Sequence, residues 1–115
     1  MTIELREPSF LLLTALADGP KHGYALLSEV SELSEGRLRL KVGSLYAMIE
    51  RLEAGGLVVH QRDEVVAGRL RRYFALSDAG RERLEQEVAR LAANARLATE
   101  RLRRRPGIAI AGGAE

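Results

Sequence analysis

Residues 42–84 read VGSLYAMIERLEAGGLVVHQRDEVVAGRLRRYFALSDAGRERL. Apolar residues in the first third recur at helical spacing, and a Gly-Gly pair ends that helix. Two β-rich runs follow at Leu57–Arg62 and Leu70–Leu76, and the intervening Asp63–Gly68 is typical of a hairpin connection. Ser77 then precedes an acidic first turn, as a helix cap does. The stretch therefore predicts a helix, a hairpin and a further helix, in that order.

This order of elements is typical of a winged helix-turn-helix domain. In that arrangement the helix can lie in the major groove of DNA, and the hairpin can lay basic side chains along the phosphates. Upstream, residues 8–18 and 22–34 have the apolar spacing of two further helices. Residues 35–41 alternate apolar and basic side chains, which fits either a short strand or an extended linker. We predict a mainly α fold with a small β-hairpin, in which residues 1–77 form the winged helix-turn-helix domain.

The last helix is expected to run from Asp78 to about Arg105. Its apolar residues are spaced alternately by four and three positions, which is a heptad seam. The seam consists of Leu84, Val88, Leu91, Ala95, Ala98 and Leu102. A helix this long has more apolar surface than a small domain can cover, so pairing with a second copy is expected. We assign residues 78–105 to a dimerisation helix and residues 106–115 to a disordered tail.

Composition sets the class of protein. A chain of 115 residues is one domain with an appended helix, and the absence of cysteine excludes disulfides and thiolate zinc sites. The first residues lack the pattern of a signal peptide, and the longest apolar run, Phe10–Ala17, is too short to span a bilayer. We therefore expect a cytoplasmic protein without membrane contact. The net charge of +2 argues only weakly for a nucleic-acid partner.

Catalytic and cofactor-binding patterns are not recognisable in the sequence. There is no glycine-rich phosphate loop, no Ser–His–acid arrangement and no pair of carboxylates in an apolar setting. His60 has no second His, Cys or acidic residue at the spacing of metal ligands. The chain is therefore expected to be neither an enzyme nor a cofactor or metal protein.

Several short motifs follow one another along the chain. They are Asp18-Gly19-Pro20, His22-Gly23-Tyr24, Gly43-Ser44-Leu45-Tyr46, Arg51-Leu52-Glu53 with Gly56-Leu57-Val58, and the run from Arg72 to Gly80. Together they resemble the PadR-like family of bacterial transcriptional regulators. Each motif alone is a weak signal, but all occur in the order and spacing of the family over about residues 10 to 84. The single long terminal helix resembles the shorter branch of the family, in which that helix forms the dimer.

The resemblance implies a homodimeric repressor that binds double-stranded DNA. A twofold dimer implies a pseudo-palindromic operator with half-sites about one helical turn apart. Some members of the family bind small aromatic or hydrophobic compounds in the dimer groove, so a small-molecule effector is a further possible partner. Residues 78–105 contain no aromatic side chain. We therefore expect either an aliphatic pocket near the first and last helices or regulation by something other than a planar ligand.

DNA contacts are predicted at the start of the third helix and on the wing. The set is Lys41, Gly43, Ser44, Tyr46, Ala47, Arg51, Arg69, Arg71 and Arg72. Hydroxyl groups at a helix start can donate to phosphate, as can the free backbone amides there. Three arginines within four wing residues favour phosphate contact over an ordinary solvated hairpin. The third helix has few base-reading side chains, so the shape of the DNA is expected to carry part of the specificity.

Alternative interpretations remain open for several of these residues. Tyr46 can instead be a core residue wedged between helices, and Arg51 can pair with Glu53 rather than with DNA. Relatives often carry a small hydroxyl residue or a proline near Lys41, so the cap of the third helix is expected to be less regular here. For the whole chain, the alternative is a winged-helix adaptor that contacts proteins through its long helix. The near-neutral charge favours that adaptor, and the basic wing argues against it.

Overall fold

A computed structural model describes residues 4–106, which fold into four helices and a three-stranded antiparallel sheet. The elements are α1 (Glu7–Leu16), β1 (Lys21–His22), α2 (Gly23–Leu33), α3 (Val42–Ala54), β2 (Val58–Val66), β3 (Arg69–Leu76) and α4 (Asp78–Arg103). The strand order in the sheet is β1-β3-β2. The winged-helix fold predicted from the sequence is confirmed, and the helix ends lie within about two residues of their expected positions. The tail predicted over residues 106–115 lies, apart from Pro106, outside the described residues.

The chain divides into two compact units between Glu85 and Gln86, within α4. The first unit thus continues past the boundary expected at residue 77. It does so because Leu84, in the second turn of α4, is part of the core of this unit. In the described part of the chain, no helix combines the length and the apolar character needed to cross a bilayer.

Aliphatic side chains from α1, α2, α3 and the sheet form the core of the first unit. The fully buried large ones are Leu12, Leu13, Leu16, Leu26, Val30, Leu45, Ile49, Leu52 and Val58. Their removal from water is the main favourable contribution to folding. The buried stripe predicted for the third helix is confirmed: Leu45, Ile49 and Leu52 are buried, and Met48 packs partly buried against them. The opposite face of α3 is thereby exposed.

Strand β1 was not predicted, because two residues are too few to show a periodic pattern. It pairs with β3 in antiparallel register, so that His22 lies opposite Tyr73. The Lys21 ammonium group forms ion pairs with Asp18 and with Glu29, the latter at 3.2 Å. These contacts attach the start of α2 to the sheet and fix its position beside the wing.

The connection between α2 and α3 contains no strand. Of the short strand and the extended linker that the sequence allowed for residues 35–41, the structure has the linker. Glu35 and Gly36 have φ angles of 55° and 82°, and this left-handed pair turns the chain as α2 ends. The Ser34 hydroxyl accepts a hydrogen bond of 3.0 Å from the backbone amide of Leu38. The linker then leads directly into α3.

The wing is longer than the sequence predicted. The expected connection over Asp63–Gly68 is wrong, because only Ala67 and Gly68 separate the two strands. Both residues have positive φ, 52° and 76°, which is the conformation of a two-residue type I′ hairpin turn. The outer wing has no buried face, so apolar alternation does not reveal that its residues form a strand. A register shift between His60 and Arg62 marks a bulge in β2.

A network of short contacts joins the wing to α4. The Ser77 hydroxyl accepts a hydrogen bond of 2.9 Å from the Gly80 amide, which confirms the predicted cap of α4. The same hydroxyl donates to the Gly56 carbonyl at 2.5 Å, and the Ser77 amide donates to the Leu57 carbonyl at 3.1 Å. A Cβ atom on Gly80 would lie 2.9 Å from the carbonyl carbon of Leu57. Only glycine therefore fits between the first turn of α4 and the start of β2.

Candidate nucleic-acid interface

The exposed face of α3 carries mostly small side chains. Gly43, Ser44, Ala47, Glu50 and Arg51 are exposed, and their spacing of three, four and seven residues places them on one stripe of the helix. Three of these five have side chains no larger than that of serine. The helix backbone can therefore approach another surface closely along its first two turns.

The start of α3 is open to an anion. Lys41 is the N-cap residue, and its side chain makes no capping hydrogen bond in this part of the structure. The less regular cap expected from the sequence is therefore the one observed. The first amides of a helix have no partner within the helix, and the helix dipole favours negative charge there. The exposed hydroxyl of Ser44 lies in the same first turn.

Tyr46 is partly packed and partly exposed, so its contact with DNA stays a prediction. Its ring packs edge-on against the buried Phe74, with 6.4 Å between ring centroids, yet 37% of the residue is exposed. Its outer end lies against the backbone of Gly23, where an added Cβ atom would come within 2.8 Å of the phenol carbon Cζ. Tyr46 therefore joins the start of α2 to α3. It also lines a cleft of about 220 Å³ shared with Arg71 and Arg72 of β3.

Arg51 is held by α1. Its guanidinium group donates a hydrogen bond of 2.6 Å to the hydroxyl of Ser9, which is buried. The sequence left DNA and Glu53 open as partners of Arg51, and the partner in the structure is neither of these. The two residues are 42 positions apart in the chain, so no local pattern indicates this contact. The hydrogen bond to Ser9 holds the guanidinium towards α1, and the contact of Arg51 with DNA stays a prediction.

Acidic groups on the wing are already paired within β2. His60 contacts Asp63 at 2.6 Å, and Arg62 lies 3.6 Å from Glu64. The Arg62 guanidinium also lies 4.1 Å from the ring centre of Tyr73, whose hydroxyl donates to Glu64 at 3.1 Å. These contacts stiffen the hairpin and occupy its carboxylates.

The arginines of β3 are, by contrast, available. Arg69, Arg71 and Arg72 are exposed, and within residues 4–106 no ion pair joins any of them to an acidic group. Alternation along the strand places Arg69 and Arg71 on one face. Arg72 lies on the other face, which carries Phe74 towards Tyr46. Both faces of the wing therefore carry unpaired positive charge.

His22 belongs to the same surface, since it lines the cleft with Tyr46, Arg71 and Arg72. Its ring stacks edge-on against Tyr73 at 5.4 Å. Burial lowers the pKa of His22, and the positive charge of Arg71 lowers it further, against a smaller opposing effect of Glu64. The proximity of Arg71 could not be read from the sequence, because it depends on the pairing of the unpredicted strand β1.

The seam predicted for dimerisation divides between the two units. Leu84 is only 8% exposed and belongs to the core of the first unit, so it is not available to a partner. In the second unit, Val88, Leu91 and Leu102 are 51%, 41% and 79% exposed, and Ala95 and Ala98 are exposed as well. Five of the six predicted residues therefore form an exposed apolar stripe on α4. Arg90 forms an ion pair with Glu87 in the same unit.

A family model for the "Transcriptional regulator PadR-like family" matches residues 12–86. The chain belongs to the PadR-like family of transcriptional regulators. The match covers the winged-helix unit from α1 to the start of the terminal helix, so the resemblance seen in the sequence motifs is confirmed. PadR-like membership also confirms the expectation of a regulator rather than an enzyme. Among the described residues, no group of three or more side chains could hold a metal ion.

Two relatives share a large part of the chain. The transcriptional regulator Rv3488 of Mycobacterium tuberculosis is 40% identical over 76 residues, which are 66% of this chain and 67% of that protein. An uncharacterized 37.1 kDa protein in transposon TN4556 of Streptomyces fradiae is 44% identical over 86 residues, or 75% of this chain. The chain spans only 23% of the length of that transposon protein.

Solved structures of PadR proteins share the fold. A PadR family regulator from Clostridium difficile R20291 superposes with a TM-score of 0.72 at 22% identity, covering 84% of this chain and 99% of that one. The structure of Bacillus subtilis PadR in complex with operator DNA gives a TM-score of 0.64 at 20% identity, covering 72% of this chain and 47% of that one. At these identities the likeness concerns the fold.

Proposed function

We propose that the chain is a sequence-specific DNA-binding regulator that acts in the cytoplasm as a homodimeric repressor on a pseudo-palindromic operator. The observation that carries the proposal is the set of unpaired arginines on β3, which lies beside the exposed, small-residue face of α3. A winged helix with this arrangement offers one element to the major groove and a second to the phosphates. The operator complex of Bacillus subtilis PadR supports extending DNA binding to this chain.

Most contacts in the proposed complex go to the DNA backbone. Phosphates beside the major groove accept hydrogen bonds from the start of α3. The donors are the open backbone amides there, the hydroxyls of Ser44 and Tyr46 and the ammonium group of Lys41. Gly43 and Ala47 contribute by their small size, because they let the helix approach the base edges. The three wing arginines contact phosphates that flank this helix.

Dimerisation in this proposal uses the exposed apolar stripe of α4. Val88, Leu91, Ala95, Ala98 and Leu102 are spaced as in a heptad seam, and burying such residues against a second copy removes their apolar surface from water. Two protomers related by a twofold axis present two α3 helices, and the operator is then an inverted repeat. Since α4 has no aromatic residue, we propose that any effector acts without stacking between the terminal helices.

Salt dependence of DNA binding tests the role of the wing. Each phosphate contact contributes about −0.9 to the slope of log affinity against log salt concentration. Replacing Arg69, Arg71 and Arg72 by alanine should therefore make the slope less negative by about 2.7 and lower the affinity at low salt. Gel shifts over a salt series measure both quantities.

The matched control removes the same charge from another element. Replacing Arg101 and Arg103 of α4 and Arg105 just beyond it by alanine changes the net charge equally, and we expect the slope to stay near that of the unmodified protein. If the wing variant keeps the original slope and affinity, the wing does not contact DNA. The adaptor interpretation, in which α4 contacts another protein, would then be preferred.

A further inference from the structure

The exposed stripe of α3 contains one long side chain without a partner, that of Glu50. Its neighbours on the stripe are Gly43, Ser44 and Ala47, which are short, and Arg51, which is bound to Ser9. Among the residues that the structure describes, no cation forms an ion pair with Glu50. Glu50 is therefore the one side chain on this stripe that is both long enough and free to reach past the helix surface.

Local helix stability does not account for this glutamate. The positions three and four residues away are Tyr46, Ala47, Glu53 and Ala54, so no basic residue lies where a helical ion pair would form. Glu50 also lies in the C-terminal half of α3, where the helix dipole does not favour a carboxylate. A polar surface residue of another type would serve the helix at least as well.

On the proposed DNA-binding face, a carboxylate has a definite chemical consequence. An ionised carboxylate only accepts hydrogen bonds, and the phosphates around it repel its charge. It is tolerated only where the DNA supplies a donor, and in the major groove a glutamate pairs with the exocyclic amino group of cytosine. A residue of this kind lowers the affinity for most DNA sequences but not for those that carry the donor at the matching position.

Resting on the DNA-binding function proposed above, we propose that Glu50 determines specificity by accepting a hydrogen bond from the N4 amino group of a cytosine in each half-site. The guanidinium that would otherwise read guanine from this stripe, that of Arg51, is bound to α1. The small residues at Gly43 and Ala47 allow the close approach that a side chain of this length needs. Base reading by α3 is thus concentrated on one acidic residue.

The experiment compares the unmodified protein with Glu50→Ala and Glu50→Gln on DNA selected from a random pool by the unmodified protein. Affinities are measured for every single base-pair substitution in one half-site and for an unrelated sequence. We expect E50A to lose, at one position, a preference for C·G on the order of 10-fold. The same variant should bind the unrelated sequence more tightly. E50Q should shift that position towards A·T, because an amide side chain pairs with adenine.

The control is Glu53→Ala, which removes the same charge from the same helix at a half-buried position one turn further on. It should keep the preference for C·G at every position of the half-site. The proposal is overturned if E50A retains all preferences of the unmodified protein, or if E53A loses the same one. A protein that selects no sequence at all would refute the proposed function, whereas intact selection that is insensitive to Glu50 would refute only this inference. Thermal melting confirms that each variant is folded.

Discussion

Replacing Gly80 by alanine should destabilise the first unit strongly. The Cβ atom would lie 2.9 Å from the carbonyl carbon of Leu57 and closer still to its oxygen, whereas ordinary contacts begin at 3.4 Å. The obstacle is backbone that is held by the Ser77 amide at 3.1 Å, so it cannot turn aside as a flexible side chain would. The first turn of α4 must therefore move away from the start of β2.

The size of the effect follows from three contributions. Overpacking of a buried contact costs about 1–3 kcal/mol. Weakening the hydrogen bond from Ser77 to Leu57 adds about 1 kcal/mol. The better helix propensity of alanine offsets up to about 1 kcal/mol of this loss in stability, and less in the first turn of a helix. The net loss is about 1–4 kcal/mol, which for a domain of this size lowers the melting temperature by roughly 5–25 °C.

Thermal unfolding followed by far-ultraviolet circular dichroism measures this loss. Gly43→Ala is the matched control, since it is also a helical glycine but has no atom within 4 Å of an added Cβ. That variant should be as stable as the unmodified protein or more stable, by up to about 1 kcal/mol. Finding Gly80→Ala at the stability of the unmodified protein would refute the close packing of α4 against β2 as the reason for glycine at this position.

Two further predictions concern the wing and its base. Ala67→Asn should stabilise the wing by about 0.5–1 kcal/mol, because asparagine followed by glycine is preferred in a type I′ turn. Ala67→Val should destabilise the wing, because a β-branched residue disfavours positive φ. Hydrogen exchange of the wing amides distinguishes the two variants. Burial and Arg71 lower the pKa of His22 below its ordinary 6.5, so the unfolded chain binds a proton more readily. Stability should therefore fall as the pH drops below about 6.5, and His22→Gln should reduce this dependence in melting curves between about pH 7.5 and about pH 5.5.

Regular periodicity is what made most of the fold predictable. Leu45, Ile49 and Leu52 recur at helical spacing because one face of α3 is buried, and the sequence records that burial directly. The outer wing lacks this signal, since neither face is covered, and its strands therefore appeared shorter than they are. Strand β1 is too short for any period to appear.

The candidate site was predictable in location but not in detail. The wing arginines follow from sequence because they cluster within four residues. The partner of Arg51 does not follow, because Ser9 approaches it only when α1 packs against α3. Leu84 shares the heptad spacing of the exposed seam, yet the packing of the first turns of α4 buries it. Contacts between distant segments decide these cases.

Binding of the unmodified protein to genomic DNA fragments, including the region upstream of its own gene, tests the central claim most directly. Gel shifts over a salt series with competitor DNA would give the answer. The account predicts sub-micromolar binding (below about 1 μM) to a particular fragment that resists competitor, with an inverted repeat in the protected sequence. Weak and uniform binding to every fragment, lost as salt rises, would contradict sequence-specific regulation and leave only the fold.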